Sequence, residues 1–286
     1  MNSTNHQKTK QVKQHLNTKI EKLEDIITSL KKVLIAFSGG TDSTFLLKFC
    51  HDRLSRDRVI AVTASSEIIP KREVEQAKEI AGMIGATHHT IPFYPLQNPH
   101  FTENSPLRCY YCKNDLYRLL TKLAKTYGDF LVVEGTNRDD ESDFRPGQKA
   151  AIEQGIRSPL LEAGFTKDDI RFLSKLDDLP TWDKPDMACL ASRFPYGEKI
   201  TAKKLKRVEK AEEIISGLGA KQVRVRLHDN RTARIEVTED QIDTLVEGEK
   251  RAIIVNELQK LGFIYTAIDL KGYQKGRMNE QLKEGQ

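Results

Sequence analysis

Three cysteines set the first chemical question. Cys109 and Cys112 are separated by two tyrosines. Two thiols at this spacing can grip one metal ion or an iron–sulfur cluster, or form a thioredoxin-type redox pair. Arg108 and Lys113 flank them, and nearby cations favour the thiolate. Cys189 stands alone in a stretch that also holds Ser192 and Arg193. A lone cysteine is more often a small buried hydrophobe than a nucleophile. Cys50 follows Leu46 and Leu47 at helical spacing and reads as core.

A second chemical signal is Ser38-Gly39-Gly40-Thr41-Asp42-Ser43, directly after the apolar run Val33–Phe37. Two glycines let backbone N–H groups turn together and approach an anion. A helix starting there adds its positive end, and Ser38 and Ser43 offer hydroxyls. The stretch therefore suits a phosphate. It lacks the lysine of a Walker A loop and the third glycine of a dinucleotide fingerprint. The glycine pair alone is equally compatible with a plain strand-to-helix turn.

The remaining polar candidates are weaker. Arg224 and Arg226 alternate along one expected strand, so both face one side, toward either a phosphate or solvent. Glu212 and Asp243 read from the sequence alone as surface residues of helices. Asp139, Asp140, Glu141 and Asp143 crowd one loop, to help place a cation or to solvate it. Lys271, Lys275 and Arg277 make the end of the chain basic.

These residues need a scaffold. Apolar spacing over 11–31 predicts an amphipathic helix. Strands are expected at Val33–Phe37, Val59–Ala64, Thr87–Ile91 and Phe130–Glu134, separated by helices over 43–55, 70–84 and 112–127. That alternation means βαβ units and a parallel sheet, whose ligands bind beyond the carboxyl ends of the strands. Residues 135–197 are irregular. From Thr201 a helix (201–217), two strands (223–227 and 233–237), helical segments (238–247 and 249–261) and a last strand (264–270) suggest a smaller α+β domain. The expected division is a polar, disordered 1–13, an α/β domain over 14–197 and a C-terminal domain over 198–286.

Composition narrows the classes. Of 286 residues, 38% are hydrophobic and 30% charged, which supports real cores. The net charge of +5 suits an anionic ligand but not a dedicated nucleic-acid binder. No apolar run approaches the roughly 20 residues of a membrane helix, and the N-terminus has no apolar signal core. A cytoplasmic protein is expected, with no membrane and no nucleic-acid partner.

Ser-Gly-Gly-x-Asp-Ser after an apolar strand resembles the pyrophosphate loop, or PP-loop, of the N-type ATP pyrophosphatases. The resemblance implies a Rossmann-like, adenine nucleotide alpha hydrolase-like fold that cleaves ATP to AMP and pyrophosphate. It implies that Ser38, Gly39, Gly40, Thr41, Asp42 and Ser43 contact ATP, with Asp42 near Mg²⁺. Glu134-Gly-Thr-Asn137, Asp143-Phe-Arg-Pro-Gly147, the run from Cys189 to Gly197 and Val223-Arg-Val-Arg226 extend it. Together, from about residue 15 to 280, they resemble the LarE family of ATP-dependent sulfur transferases of nickel-pincer nucleotide synthesis.

That family adenylates the carboxylates of a pyridinium-3,5-biscarboxylate mononucleotide and replaces AMP with sulfur. In one version a single cysteine at the position of Cys189 gives up its sulfur. In the other, three cysteines hold a [4Fe-4S] cluster. The Cys-x-x-Cys pair here implies the second version, with Cys109, Cys112 and Cys189 as ligands. A three-cysteine zinc site is the alternative. The resemblance also implies roles for Ser192, Arg193, Arg224 and Arg226 at the substrate phosphate, and for Glu212 and Asp243 in activity. It further implies sulfide or another sulfur donor and a homo-oligomer, dimer to hexamer. A tRNA-thiolating enzyme would share the ATP loop and sulfur chemistry, but the chain shows no basic stripe or RNA module.

Overall fold

The structure is a computed structural model that describes residues 2–142, 146–274 and 276–279, with backbone only for 2–15 and 141–142. Asp143, Phe144, Arg145 and Lys275 lie outside the described residues, as do the side chains of Glu141 and Ser142. The chain forms two compact units. The first holds Met1–Ser66, Lys71–Phe93 and Cys109–Met187; the second holds Glu67–Pro70, Tyr94–Arg108 and Ala188–Gln286. Cys109 and Cys112 thus belong to the first unit, and Cys189 to the second.

The first unit is built on a parallel four-strand sheet, β1 (Val33–Ala36), β2 (Val59–Ser65), β3 (Thr87–Pro92) and β4 (Leu131–Val133), in the order β3-β2-β1-β4. Val33 pairs with Val59 on one side and with Leu131 on the other. Val33, Leu34 and Ile35 are fully buried, as expected for a central strand covered on both faces. The chain moves from β1 outward to β2 and β3, then returns to the other side of β1 as β4. The strand order therefore reverses between β1 and β4, the point at which such sheets bind ligands beyond the carboxyl ends of their strands.

Helix α1 (Asn2–Leu30) starts ahead of Val12, where the apolar spacing begins. Propagating a helix from a formed nucleus costs little. Its residues Leu16, Leu23, Ile27 and Leu30 enter the same core as Leu46, Leu47, Cys50 and Phe165. Helices α2 (Thr41–Arg53), α3 (Lys71–Ile84) and α4 (Arg108–Thr126) cover the sheet. Helix α4 begins four residues earlier than the periodicity suggests, so the cysteine pair lies on the helix. Helix α5 (Lys167–Leu176) opens with a capping box: Thr166 accepts from the Asp169 N–H, and Asp169 accepts from that of Thr166.

In the second unit, α6 (Ala202–Gly217) is capped by Thr201, which accepts from the Lys204 N–H. Strands β5 (Val223–His228) and β6 (Thr232–Val237) form an antiparallel pair. Asp229 and Asn230 turn the chain at φ 51° and 52°, a region their short polar side chains tolerate. Helix α7 (Gly248–Lys260) leads to β7 (Tyr265–Ile268), which runs parallel to β6. The expected helix over 238–247 is instead a 3₁₀ turn, Glu239–Gln241, followed by Ile242–Val246. No helix among the described residues is long and apolar enough to cross a membrane.

Candidate active site

The glycine turn follows the carboxyl end of β1, beside the switch in strand order. Gly39 has φ +67°, and a Cβ there would stand 2.9 Å from the Cα of Ala77 on α3. Glycine is required both by the turn and by the close approach. Gly40 is the N-cap of α2, and no side chain among the described residues caps that helix. The N–H groups of the first turn are thus available to an anion at the positive end of the helix. The loop is braced by its own serines. Ser43 Oγ lies 3.1 Å from Ser38 Oγ and donates to the Gly40 carbonyl at 3.2 Å, while the Gly40 N–H donates to Ser38 Oγ at 3.3 Å. Thr41 is turned away, its hydroxyl donating to the Thr181 carbonyl at 2.7 Å.

The loop after β4 explains the Glu-Gly-Thr-Asn motif. A Cβ on Gly135 would stand 3.0 Å from the Ser43 nitrogen, so only glycine lets this loop press on the start of α2. Glu134 is buried and accepts from the hydroxyls of Tyr117, Thr136 and Ser158, with Lys113 Nζ at 3.6 Å. Burial alone would raise its pKa; Lys113 and the three hydroxyls outweigh it and hold the carboxyl below the ordinary range. The buried Asn137 accepts from the Asp139 N–H at 2.9 Å, and its own N–H donates to Asp140 at 3.2 Å.

Two lysines escaped the reading from sequence. Lys184 Nζ donates to the Gly39 carbonyl at 3.1 Å, Glu73 at 2.8 Å and Gln76 at 3.1 Å, locking the turn to α3. Lys167 Nζ lies 2.8 Å from Asp42 Oδ2 and 2.8 Å from Asp186 Oδ1. Asp42 Oδ1 is buried without a hydrogen-bond partner among the described residues. Burial pushes the Asp42 pKa up, against the pull of Lys167 and with help from Asp186 and Asp140. A half-satisfied carboxylate at the mouth of a phosphate loop fits a hydrated Mg²⁺ brought in by a nucleotide. That ion uses one or two carboxylates plus phosphate oxygens rather than a protein cage.

The cysteine pair occupies the first turn of α4. Residues three apart share a helix face, so both thiols can reach one ligand. Cys109 is exposed and Cys112 half-buried; Cys189 is half-buried, and Cys50 is fully buried. Thiols are the right donors for an iron–sulfur cluster. No group of three or more His, Cys, Asp or Glu side chains stands ready to hold a metal among the described residues.

In the second unit the Cys189 loop is held by a buried ion pair. Cys189 caps a 3₁₀ turn, Leu190–Arg193. Arg193 donates to Glu212 twice, at 2.8 and 2.9 Å, and to the carbonyls of Ala188 and Cys189 and the Ser192 hydroxyl. Glu212 also accepts the Val225 N–H at 2.9 Å. It is therefore not a surface residue of α6: it is buried because Arg193 and the β5 backbone satisfy it. Arg224 and Arg226 are buried as well, so β5 is not a solvated edge. Arg226 pairs with Glu236 at 2.9 Å and donates to the Ser192 carbonyl at 2.5 Å. Arg224 lies 5.2 Å from the Tyr273 ring, and burial and then the Arg193 charge lower its pKa to about 10. Asp243 is exposed on Ile242–Val246 and joins none of these contacts.

A family model described as NAD synthase matches residues 8–108. A pyridinium-3,5-bisthiocarboxylic acid mononucleotide synthase from Lactiplantibacillus plantarum is 40% identical over 95% of the chain and 97% of that protein. An uncharacterized protein from Synechocystis is 43% identical, over 93% of the chain and 99% of that protein. One from Methanocaldococcus jannaschii is 30% identical, over 85% of the chain and 91% of that protein.

Proposed function

The chain belongs to the family of pyridinium-3,5-bisthiocarboxylic acid mononucleotide synthases, and from that premise we propose that it is an ATP-dependent sulfur transferase. It acts on the two carboxylates of pyridinium-3,5-biscarboxylic acid mononucleotide. A carboxylate oxygen attacks the α-phosphorus of ATP, the bond to the β-phosphate oxygen breaks, and pyrophosphate leaves. A sulfur nucleophile then adds to the acyl carbon and AMP departs, leaving a thiocarboxylate. The second carboxylate follows. The observation that carries this reading is the uncapped α2 start behind Gly39 and Gly40 in a chain of this family.

In this reading the backbone N–H groups of Gly39 to Ser43 bind the phosphates and offset the charge that develops as pyrophosphate leaves. Ser38 and Ser43 hold the loop's shape. Asp42 receives Mg²⁺, which when bound neutralises phosphate charge. Arg224 and Arg226, with Ser192 and Arg193 beside them, serve the phosphate of the nucleotide substrate. Glu212 acts through Arg193. Asp243 is assigned by resemblance alone.

Cys109, Cys112 and Cys189 are assigned as ligands of a [4Fe-4S] cluster, which would leave one iron open to carry sulfur. Residues 14–197 are read as the ATP domain and 198–286 as the substrate and oligomerisation domain of a cytoplasmic homo-oligomer. The sulfur donor is sulfide or another donor of sulfur.

The test is AMP and pyrophosphate release from ATP, with the biscarboxylate nucleotide and sulfide supplied to anaerobically purified protein. Release that requires the nucleotide, and disappears in Asp42→Ala, is the expected result. Hydrolysis indifferent to the nucleotide sinks the substrate assignment. Iron and acid-labile sulfide content tests the ligand set: about four irons per chain, lost in Cys109→Ser, are expected. No metal after anaerobic reconstitution removes the cluster and leaves Cys189 as the sulfur source.

A further inference from the structure

The ATP loop carries a charge arrangement that the family reaction does not explain. Lys184 spends all three donors of its ammonium on Gly39, Glu73 and Gln76, so it is a fixed brace. Lys167 differs. Its ammonium meets two carboxylates, Asp42 and Asp186, each at 2.8 Å, and its third donor has no partner among the described residues. Its stem is anchored firmly. The backbone N–H donates to Asp139 at 2.8 Å, and the capping box of Thr166 and Asp169 fixes the first turn of α5. The ammonium cannot be a loose surface charge, because its side chain is mostly buried.

Asp42 is the complementary half. One oxygen takes Lys167, and the other is buried with no partner among the described residues. A half-buried carboxylate with one uncommitted oxygen is half-way to holding a second cation. A metal entering with a nucleotide competes directly with Lys167 for this group. The displaced ammonium remains tethered at the loop, where the phosphates bring negative charge.

We propose that Lys167 occupies Asp42 in place of the metal while the site holds no nucleotide, and that it becomes a phosphate-binding residue when Mg²⁺ takes Asp42. Asp186 keeps the ammonium at the loop during the exchange. The exchange prevents Asp42 from collecting a divalent cation alone, so metal and nucleotide enter together. This inference rests on the ATP reading given above. It adds a residue, Lys167, and an order of binding to it.

Two variants test it, Lys167→Met and Lys167→Arg, in the full chain. The first readout is Mn²⁺ binding to nucleotide-free protein, followed by the loss of free-ion signal in electron paramagnetic resonance. Wild type and Lys167→Arg are expected to bind Mn²⁺ weakly. Lys167→Met should bind it about tenfold tighter or more, because a charge-assisted contact to Asp42 is gone. Adding Asp42→Asn to Lys167→Met should erase that gain. The second readout is Mg·ATP affinity by equilibrium dialysis. Lys167→Met should weaken it about tenfold or more, and Lys167→Arg should retain most of it.

A gain in Mn²⁺ binding cannot come from a variant that fails to fold, and a circular dichroism spectrum matching wild type establishes that Lys167→Met is folded before an unchanged result is read. Unchanged Mn²⁺ binding in Lys167→Met overturns the proposal, as does undiminished Mg·ATP affinity. If wild type binds no ATP at all, the ATP reading fails instead, and the Mn²⁺ comparison still decides whether Lys167 guards Asp42.

Discussion

The buried pair Arg193–Glu212 gives the sharpest quantitative test of how the Cys189 loop is held. Both side chains are essentially without solvent contact, at 0% and 3% exposure, and the two contacts are 2.8 and 2.9 Å. Glu212→Leu removes the carboxylate and strands a buried guanidinium. Breaking one side of such a pair costs about 3–5 kcal/mol. It also deprives the Val225 N–H of its acceptor. Urea unfolding of the full chain, followed by circular dichroism, is the assay. Arg193→Met/Glu212→Leu removes both charges and should cost no more than the single change, so the pair should be non-additive by about 2 kcal/mol or more. Cys189 should also alkylate faster in Glu212→Leu, because Arg193 Nη1 no longer has a fixed base from which to hold the Cys189 carbonyl. A single-variant loss under about 1 kcal/mol, the range of exposed ion pairs, refutes the reasoning.

Gly39→Ala forces a Cβ to 2.9 Å from the Ala77 backbone at φ +67° and should cost about 1–3 kcal/mol, with loss of ATP affinity in dialysis; unchanged affinity would show that α3 can yield. Glu134→Gln should lose about 1–3 kcal/mol at neutral pH, because Lys113 and three hydroxyls favour the ionised carboxylate. The folded pKa lies below the ordinary 4.5, so wild type's advantage is present above that pH and disappears as pH falls through the folded value; a gap constant from pH 7 to 2.5 contradicts this. In iron-free protein, alkylation should reach exposed Cys109 first, Cys112 and Cys189 next, and Cys50 only on unfolding, since burial pushes the Cys50 thiol well above its ordinary pKa. Mass spectrometry of partly labelled protein reads the order, and early labelling of Cys50 would contradict its place in the core.

The sheet was legible because its signal is local. Central strands covered on both faces read as short apolar runs, and β1 and β2 do so. The glycine turn was equally plain, since φ +67° and a helix start leave a glycine signature. Lys167 and Lys184 were not legible. Their partners Asp42, Glu73 and Gly39 are more than a hundred residues away, and nothing local distinguishes them from the other surface lysines. Glu212 was misread for the same reason. Its burial is set by Arg193 on a 3₁₀ turn and by the Val225 N–H, neither of which helical periodicity can register. The start of α4 was missed because Arg108-Cys-Tyr-Tyr-Cys has no apolar stripe of its own, although the Arg108 N–H already closes a turn on Ser105.

The two units solve one electrostatic problem differently. A site for a polyanion needs positive potential, yet unpaired cations held close together repel one another and disfavour the folded state. In the first unit the potential comes from the α2 backbone, which carries no net charge, while both nearby lysines are neutralised by Asp42, Asp186 and Glu73. In the second unit, Arg193 and Arg226 are matched to Glu212 and Glu236. Their carboxylates are consumed from within, and the guanidinium forks orient main-chain carbonyls of the Cys189 loop. Arg224 shares that neighbourhood with Arg193 and Arg226, and its lowered pKa records their repulsion as well as its burial. An arriving phosphate would offset the positive charge that these three guanidiniums bring together. Loss of Arg224 is expected to weaken substrate binding. Arg224→Met should raise the KM for the nucleotide substrate, whereas Arg226→Met should lower stability because Glu236 Oε2 loses its paired guanidinium and keeps Arg234 on Oε1 alone. Equal stability losses in the two variants would show that both arginines are structural.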